Sequence, residues 1–324
     1  MDRTTLDSPL TEAGLCGSTA LRRMVHQDYR IFRTGRLFGY VHEAFAGNGL
    51  CDLLPGLLAS PPSLEKVLYQ SYANRDVFMI NVPIRGDLQV MCLKTVRCKS
   101  WWHLIFVDPI MPSPASRYLA VAETLKGIGI DTPTVIAVVE EKCFFGVRRS
   151  FILTEWCRNT VALQTYGAAT TTRHLSQTES AELQAIVDCF ARMIRLLHRN
   201  KIFHLDLKPD NILVRRGTSD LPSLMLIDLD QTVIVRPGTP LLSTLLKLAD
   251  FLILHNHFYP FTYLKERIRF LAIYSGKRLS RKRFRRAQLF LLQTPFLTQC
   301  YKGLWRGNLI HVLRRLLLCL RVLR

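Results

Sequence analysis

Apolar and polar residues alternate along Val77 to Ile84 and again along Leu88 to Val96, with the turn chemistry of Arg85-Gly86-Asp87 between them. Period two broken by such a turn predicts a pair of antiparallel strands. Ile31 to Val41 is strand-like as well, and Val135 to Glu140 and Ser150 to Thr154 predict two further strands. The period changes between them: after Pro112-Ser113-Pro114 a helix is expected over about Ser116 to Lys126, stopped by Gly127 and Gly129. From about Ala162 onward the helical pattern dominates, and a long amphipathic helix is expected from about Ser180 to Arg199. Two short apolar runs, Ile212 to Val214 and Leu224 to Ile227, interrupt it and read as a hairpin. The start of the chain is polar, Pro55 to Pro62 reads as a linker, and no internal repeat is visible. The expected class is α+β in two lobes, a small antiparallel sheet with one helix followed by a mainly helical part. The expected boundaries are a leader and linker at 1–62, a first lobe at 63–158, a second at 159–295, and a basic amphipathic helix at 296–324.

Composition limits the possible settings. A chain of 324 residues that is 48% hydrophobic can bury one large core or two lobes. Its nine cysteines are scattered and never spaced Cys-x-x-Cys, which favours reduced thiols over a disulfide framework or a zinc site. Met1-Asp2-Arg3-Thr4 opens no apolar stretch, so no signal peptide is expected. The apolar window Leu241 to Leu254 is interrupted by Lys247 and Asp250, so no membrane span is expected there and a cytoplasmic protein is.

The net charge is +19, and its placement changes the picture. Residues 277–324 hold thirteen Lys or Arg and no Asp or Glu. Beyond the dense run Lys277 to Arg286, His311, Arg314, Arg315, Arg321 and Arg324 share one helical stripe on an otherwise aliphatic segment. That is the pattern of a helix lying in an anionic membrane interface. A helix docking its apolar face on its own domain has the same pattern, whereas the aromatic interleaving of a nucleic-acid platform is missing.

The densest chemistry lies in His204-Leu205-Asp206-Leu207-Lys208-Pro209-Asp210-Asn211-Ile212-Leu213-Val214, followed by Leu226-Ile227-Asp228-Leu229-Asp230. Phosphoryl transfer is mostly positioning and charge neutralisation: a carboxylate near the acceptor hydroxyl, oxygen ligands for Mg²⁺ and cations on the phosphates. Asp206 fits the first role, Asn211 and Asp228 the second, and Lys208 the third, while His204 would brace the loop. A polar surface turn has a similar composition. The long helix before this stretch and the hairpin after it supply the context that a catalytic loop requires.

A nucleotide site also needs a strand lysine on the α/β-phosphates and a helix glutamate to hold it. Lys94, in Val90 to Val96, is placed for the first role, and Glu123 is the only acid in the helix Ser116 to Lys126. Thr154-Glu155-Trp156-Cys157 has the position of a hinge, where backbone groups of Glu155 and Cys157 could bond adenine. Between the first strands, Ser71 to Val77 contains no glycine, although close backbone approach to phosphate favours Gly-x-Gly. His255-Asn256-His257 has a metal-like spacing without a supporting Cys or carboxylate cluster, and reads as a loop.

The catalytic stretch resembles the protein-kinase-like superfamily, and Asp228-Leu229-Asp230 in place of Asp-Phe-Gly is similar to the bacterial lipopolysaccharide kinases of the Kdo/WaaP type. Ala122 to Leu125 with Gly129 to Pro133, and Phe270 to Tyr274, resemble further segments of that family, so the likeness covers roughly residues 65–290. It implies a two-lobed kinase fold, ATP with Mg²⁺, and a heptose or Kdo hydroxyl of the lipopolysaccharide core as acceptor. It also implies work at the inner face of the cytoplasmic membrane. A serine/threonine protein kinase is the nearest alternative. Leu205 stands where such kinases keep the arginine that reads a phosphorylated activation loop, and no Ala-Pro-Glu follows Asp230. A pseudokinase or scaffold is the other alternative, favoured by the glycine-free loop and opposed by the intact set Lys94, Glu123, Asp206, Asn211 and Asp228.

Overall fold

The computed structural model describes residues 28–59, 66–72, 75–84, 87–97, 113–143, 146–171, 176–215, 222–235, 238–258 and 264–276. The turn residues Arg85 and Gly86, Ala73 and Asn74 of the glycine-free loop, and the basic segment 277–324 lie outside these. Contacts group the chain into two units, Met1–Thr124 with Pro133–Cys157 and Leu125–Thr132 with Arg158–Arg324.

The first unit is built on one sheet of seven strands: β1 (Tyr29–Thr34), β2 (Leu37–His42), β3 (Lys66–Tyr72), β4 (Arg75–Ile84), β5 (Asp87–Arg97), β6 (Val135–Cys143) and β7 (Gly146–Glu155). Their order is β1-β2-β6-β7-β5-β4-β3, and every neighbouring pair is antiparallel. The alternation legible in β4 is realised, since Phe78, Ile80, Val82 and Ile84 are buried. Met91 and Leu93 of β5 and Phe151 and Leu153 of β7 join them in one core cluster.

Two helices near the start, α1 (Glu43–Ala46) and α2 (Leu50–Ala59), belong to this unit. The stretch that reads as a linker from Pro55 is therefore helical as far as Ala59, with Pro55 inside the helix. An interior proline costs a helix about 3 kcal/mol. Leu50, Leu54 and Leu58, one turn apart, are buried in the core cluster, and at roughly 2 kcal/mol each their burial outweighs that loss. The strand-like segment Ile31 to Val41 is likewise a hairpin, β1 and β2, turned at Gly35 with φ +53 and joined to the sheet through β6. Helix α3 (Pro114–Gly127) starts with Ser113, whose Oγ accepts from Ser116 N–H, and with proline at its first position. It ends where Gly129 takes φ +77 and Ile130 N–H reaches back to the Leu125 carbonyl.

In the second unit β8 (Thr160–Ala162) leads into α4 (Leu163–Thr171), and α5 (Gln177–Arg199) follows. Helix α5 opens with a reciprocal capping box between Ser176 and Glu179. Its buried stripe is Ile186, Phe190, Ala191, Met193, Ile194, Leu197 and His198. Next come β9 (Ile202–Phe203), β10 (Ile212–Arg215), β11 (Ser223–Leu226), β12 (Val233–Ile234), α6 (Pro240–Phe258) and α7 (Leu264–Ser275). Strands β11, β10 and β8 form a small sheet, and β12 pairs with β9. Phe190 of α5 stacks on Phe258 of α6 at 5.1 Å, and Arg269 of α7 is bonded to Asp188 of α5. Among the described residues no helix is long and apolar enough to cross a membrane.

Candidate active site

The loop between β9 and β10 carries the densest chemistry, and its shape is held by one carboxylate. Leu205 has φ +58, a left-handed conformation that a branched side chain adopts only when its surroundings compel it. Asp250 of α6, 1% exposed, supplies the compulsion. Its Oδ1 accepts the Leu205 N–H at 2.7 Å and its Oδ2 accepts the His204 N–H at 3.1 Å. His198 Nε2 lies 3.1 Å from the same Oδ2, and His198 Nδ1 lies 2.8 Å from the Tyr274 hydroxyl. Burial, and then the neighbouring Asp250, push the Tyr274 hydroxyl up to about 12, so it stays protonated, while the Asp250 carboxylate can only accept from the imidazole. The imidazole proton then sits on Nε2 and points at Asp250. His204 braces the loop from its other side, with Nε2 3.1 Å from the Ile227 carbonyl. Burial holds its pKa below the ordinary imidazole value, against the opposing charge of Asp250.

The side chains that the loop displays converge. Lys208 Nζ is 2.9 Å from Asp206 Oδ2. Asn211 Nδ2 donates to the Asp206 carbonyl at 2.8 Å and to Asp206 Oδ2 at 3.1 Å. Both side-chain bonds fall on Oδ2. Asn211 sits in a 3₁₀ turn, Pro209–Asn211, and the β10–β11 register opposes Ile212 to Leu226, which sets Asn211 and Asp228 at the same open end of the hairpin. Ile227 N–H closes that end onto the Asn211 carbonyl at 3.0 Å. Asp228 has φ +59 and ψ +57 and leads into a second 3₁₀ turn, Leu229–Gln231, in which Asp230 is buried. On the flank, the Gln164 amide, once turned over so that its nitrogen rather than its oxygen meets the acid, donates to both Asp210 carboxylate oxygens at 2.7 Å.

The residues expected to meet the nucleotide lie in the first unit. Lys94 is half-buried in β5, opposite Val77 of β4 and Ile152 of β7. It shares a strand face with Cys92, whose thiol burial pushes up while the Lys94 charge pulls it down. Glu123 is 6% exposed in α3 and accepts a hydrogen bond from Tyr29 Oη at 3.0 Å. Glu155 ends β7 with its side chain exposed and its N–H on the Thr134 carbonyl at 3.0 Å, and Cys157 is half-buried and outside any disulfide.

Four participants escape sequence reasoning. Asp250 reads only as a charge that breaks an apolar window, and His198 and Tyr274 as members of amphipathic helices. The segment His255-Asn256-His257, which reads as a loop, is the end of α6. Helix α6 carries His257 near enough to the catalytic loop for its pKa, lowered first by burial, to feel Lys208, Asp206 and Asp210. A clue to Asp250 was present: an acid placed mid-way along an apolar helix needs buried donors.

Residues 91–238 match the family model of the lipopolysaccharide kinase (Kdo/WaaP) family. No curated protein matches the sequence. Among solved structures, WaaP in complex with acyl carrier protein is similar, with a TM-score of 0.60 at 20% identity over 82% of this chain and 100% of that one. An identity this low speaks for the fold alone. The sequence match spans Lys94, Glu123, Asp206, Asn211 and Asp228, and over those residues the protein is similar to the lipopolysaccharide kinase (Kdo/WaaP) family, whose members are phosphotransferases.

Proposed function

We propose that the protein transfers phosphate from ATP, with Mg²⁺, to a heptose or Kdo hydroxyl of the lipopolysaccharide core, working at the cytoplasmic face of the inner membrane. The observation that carries this reading is the convergence of Lys208 and Asn211 on a single oxygen of Asp206, at 2.9 and 3.1 Å. Two donors on Oδ2 fix the carboxylate, and Oδ1 then orients the acceptor hydroxyl and takes its proton as the new O–P bond forms. Lys208 offsets charge on the transferred phosphoryl group. In the first unit, Lys94 binds the α/β-phosphates with Glu123 as its orienting partner. The hinge pairs with adenine through Glu155 and Cys157. The Glu155 N–H is committed to Thr134, so its bond would be made by the carbonyl.

The donor set fits Mg²⁺. The Asn211 amide nitrogen is turned to Asp206, which leaves the amide oxygen for a cation, and Asp228 adds a carboxylate at the same end of the hairpin. Among the described residues no cluster of three His, Cys, Asp or Glu is placed for a metal. A cation held by few protein oxygens, with phosphate and water completing its shell, matches the habit of Mg²⁺. When bound, Mg²⁺ neutralises charge on the phosphates.

The core-sugar acceptor is favoured over a peptide by the short passage from Asp230 to α6, which begins at Pro240. The basic segment 296–324 would hold the enzyme on anionic lipid, and an acyl carrier protein is a further candidate partner, since the similar WaaP structure holds one. Asp206→Ala and Asp228→Ala are expected to lower transfer from labelled ATP to purified core lipopolysaccharide by at least about a hundredfold while the circular dichroism spectrum is unchanged. Near wild-type turnover in either variant, or label passing to a generic protein substrate instead, would sink the assignment.

A further inference from the structure

The leader hairpin delivers a side chain to the buried carboxylate of α3. Tyr29 opens β1 opposite His42 of β2, whose ring it meets edge-on at 5.1 Å. The phenol is 4% exposed. Its Oη lies 3.0 Å from Glu123 Oε1 and 3.0 Å from the Val135 carbonyl. The hydroxyl has one proton and two acceptors, and a carboxylate is the stronger acceptor. Burial, then the charge of Glu123, raise the pKa of the phenol far above physiological pH, so it remains a donor. A carboxylate as buried as Glu123 needs such donors to keep one position.

We propose that Tyr29 is a positioning residue of the nucleotide site: its hydroxyl fixes the Glu123 carboxylate so that Glu123 can orient Lys94, which makes the β1–β2 hairpin part of the phosphate-binding apparatus. The proposal rests on the reading of Lys94 and Glu123 as the phosphate-binding pair. Tyr29 lies outside the residues that match the family. Helix α2 and strand β2 bury Leu50, Leu54, Leu58 and Val41 in the first unit's core. The hairpin is thus anchored firmly enough to act as a fixed strut.

The test uses the full-length protein and trinitrophenyl-ATP with Mg²⁺, a probe that needs no acceptor, with phosphate-free trinitrophenyl-adenosine as its companion. Lys94→Ala and Glu123→Gln should weaken the ATP analogue and spare the nucleoside. Tyr29→Phe keeps the ring against His42 and should weaken the ATP analogue about tenfold, the size expected for a hydrogen bond to a charged group, again sparing the nucleoside. In a Glu123→Gln background Tyr29→Phe should add nothing further. His42→Phe changes the ring beside Tyr29 and removes the bond from Ala44 N–H to His42 Nδ1 but leaves the Tyr29–Glu123 bond intact, and should bind both probes as the wild type does. Tyr29→Phe binding like wild type, a loss that multiplies with that of Glu123→Gln, or an equal loss in His42→Phe would each overturn the proposal while leaving the Lys94–Glu123 pair in place. Wild-type binding by both Lys94→Ala and Glu123→Gln would remove the pair itself, and Tyr29's role with it.

Discussion

His204 is fully buried, and its imidazole bonds the Ile227 carbonyl through Nε2 while Nδ1 is a buried atom without a hydrogen-bond partner. Such a ring resists a second proton, which is why its pKa is lowered. The unfolded chain has no such resistance and takes up the proton near the ordinary value of about 6.5. Below that pH the unfolded state therefore binds more protons than the folded one. The stability contributed by neutral His204 is complete above about pH 6.5 and is lost progressively as pH falls toward the lower folded value, by at most about 1.4 kcal/mol per pH unit. Between pH 6.5 and 5.5 the unfolding free energy of His204→Gln should fall less steeply than that of the wild type, measured by urea titration at each pH. Equal slopes would mean that the buried ring does not control this window. The grouping of Asp206, Lys208 and Asn211, with Asp228 at the same end of the hairpin, was legible in the sequence because these residues lie close together along the chain and phosphoryl transfer has few substitutes for their types. Tyr29 and Asp250 were not legible, because their partners are a carboxylate 94 residues away and backbone amides 45 and 46 residues away. No pattern along the chain records a partner so distant.

Elements follow the same division. Strand β4 could be read from alternation because one face of it is buried, and α5 from its apolar stripe and capping box. Helix α2 could not, since Pro55 is a local signal against a helix and the three leucines that override it act only once packed on the sheet. The hairpin that precedes it makes a close approach at one position. A Cβ on Gly39 would run into the Val138 carbonyl and the Val139 Cα, both backbone atoms that cannot turn aside. Gly39→Ala should push β2 from β6 and cost about 2–3 kcal/mol, the usual price of overpacking. The denaturant midpoint should drop accordingly, and an unchanged midpoint would show that the hairpin is not seated where Gly39 places it.

At the scale of the whole molecule, charge is distributed unevenly: thirteen of the basic residues fall in the last 48 positions, with no acid among them. Positive charge of that density attracts anionic lipid with a strength that salt screens over about 10 Å at 0.1 M. A chain ending at Gly303 should therefore bind phosphatidylglycerol vesicles more weakly than the full chain in low salt, and the difference should shrink as salt rises. Equal partitioning of the two in a sedimentation assay would show the segment docked on its own protein instead. Asp250 sets the opposite limit, on how far the chain can be trimmed before the loop at Leu205 loses its support. It stands twelve positions past the end of the family match at residue 238, yet both of its oxygens are spent on the amides of His204 and Leu205. A fragment trimmed to the matched residues would carry Asp206, Lys208, Asn211 and Asp228 but lose the carboxylate that holds Leu205 left-handed. The boundary that similarity draws around this enzyme runs inside the boundary of the machine.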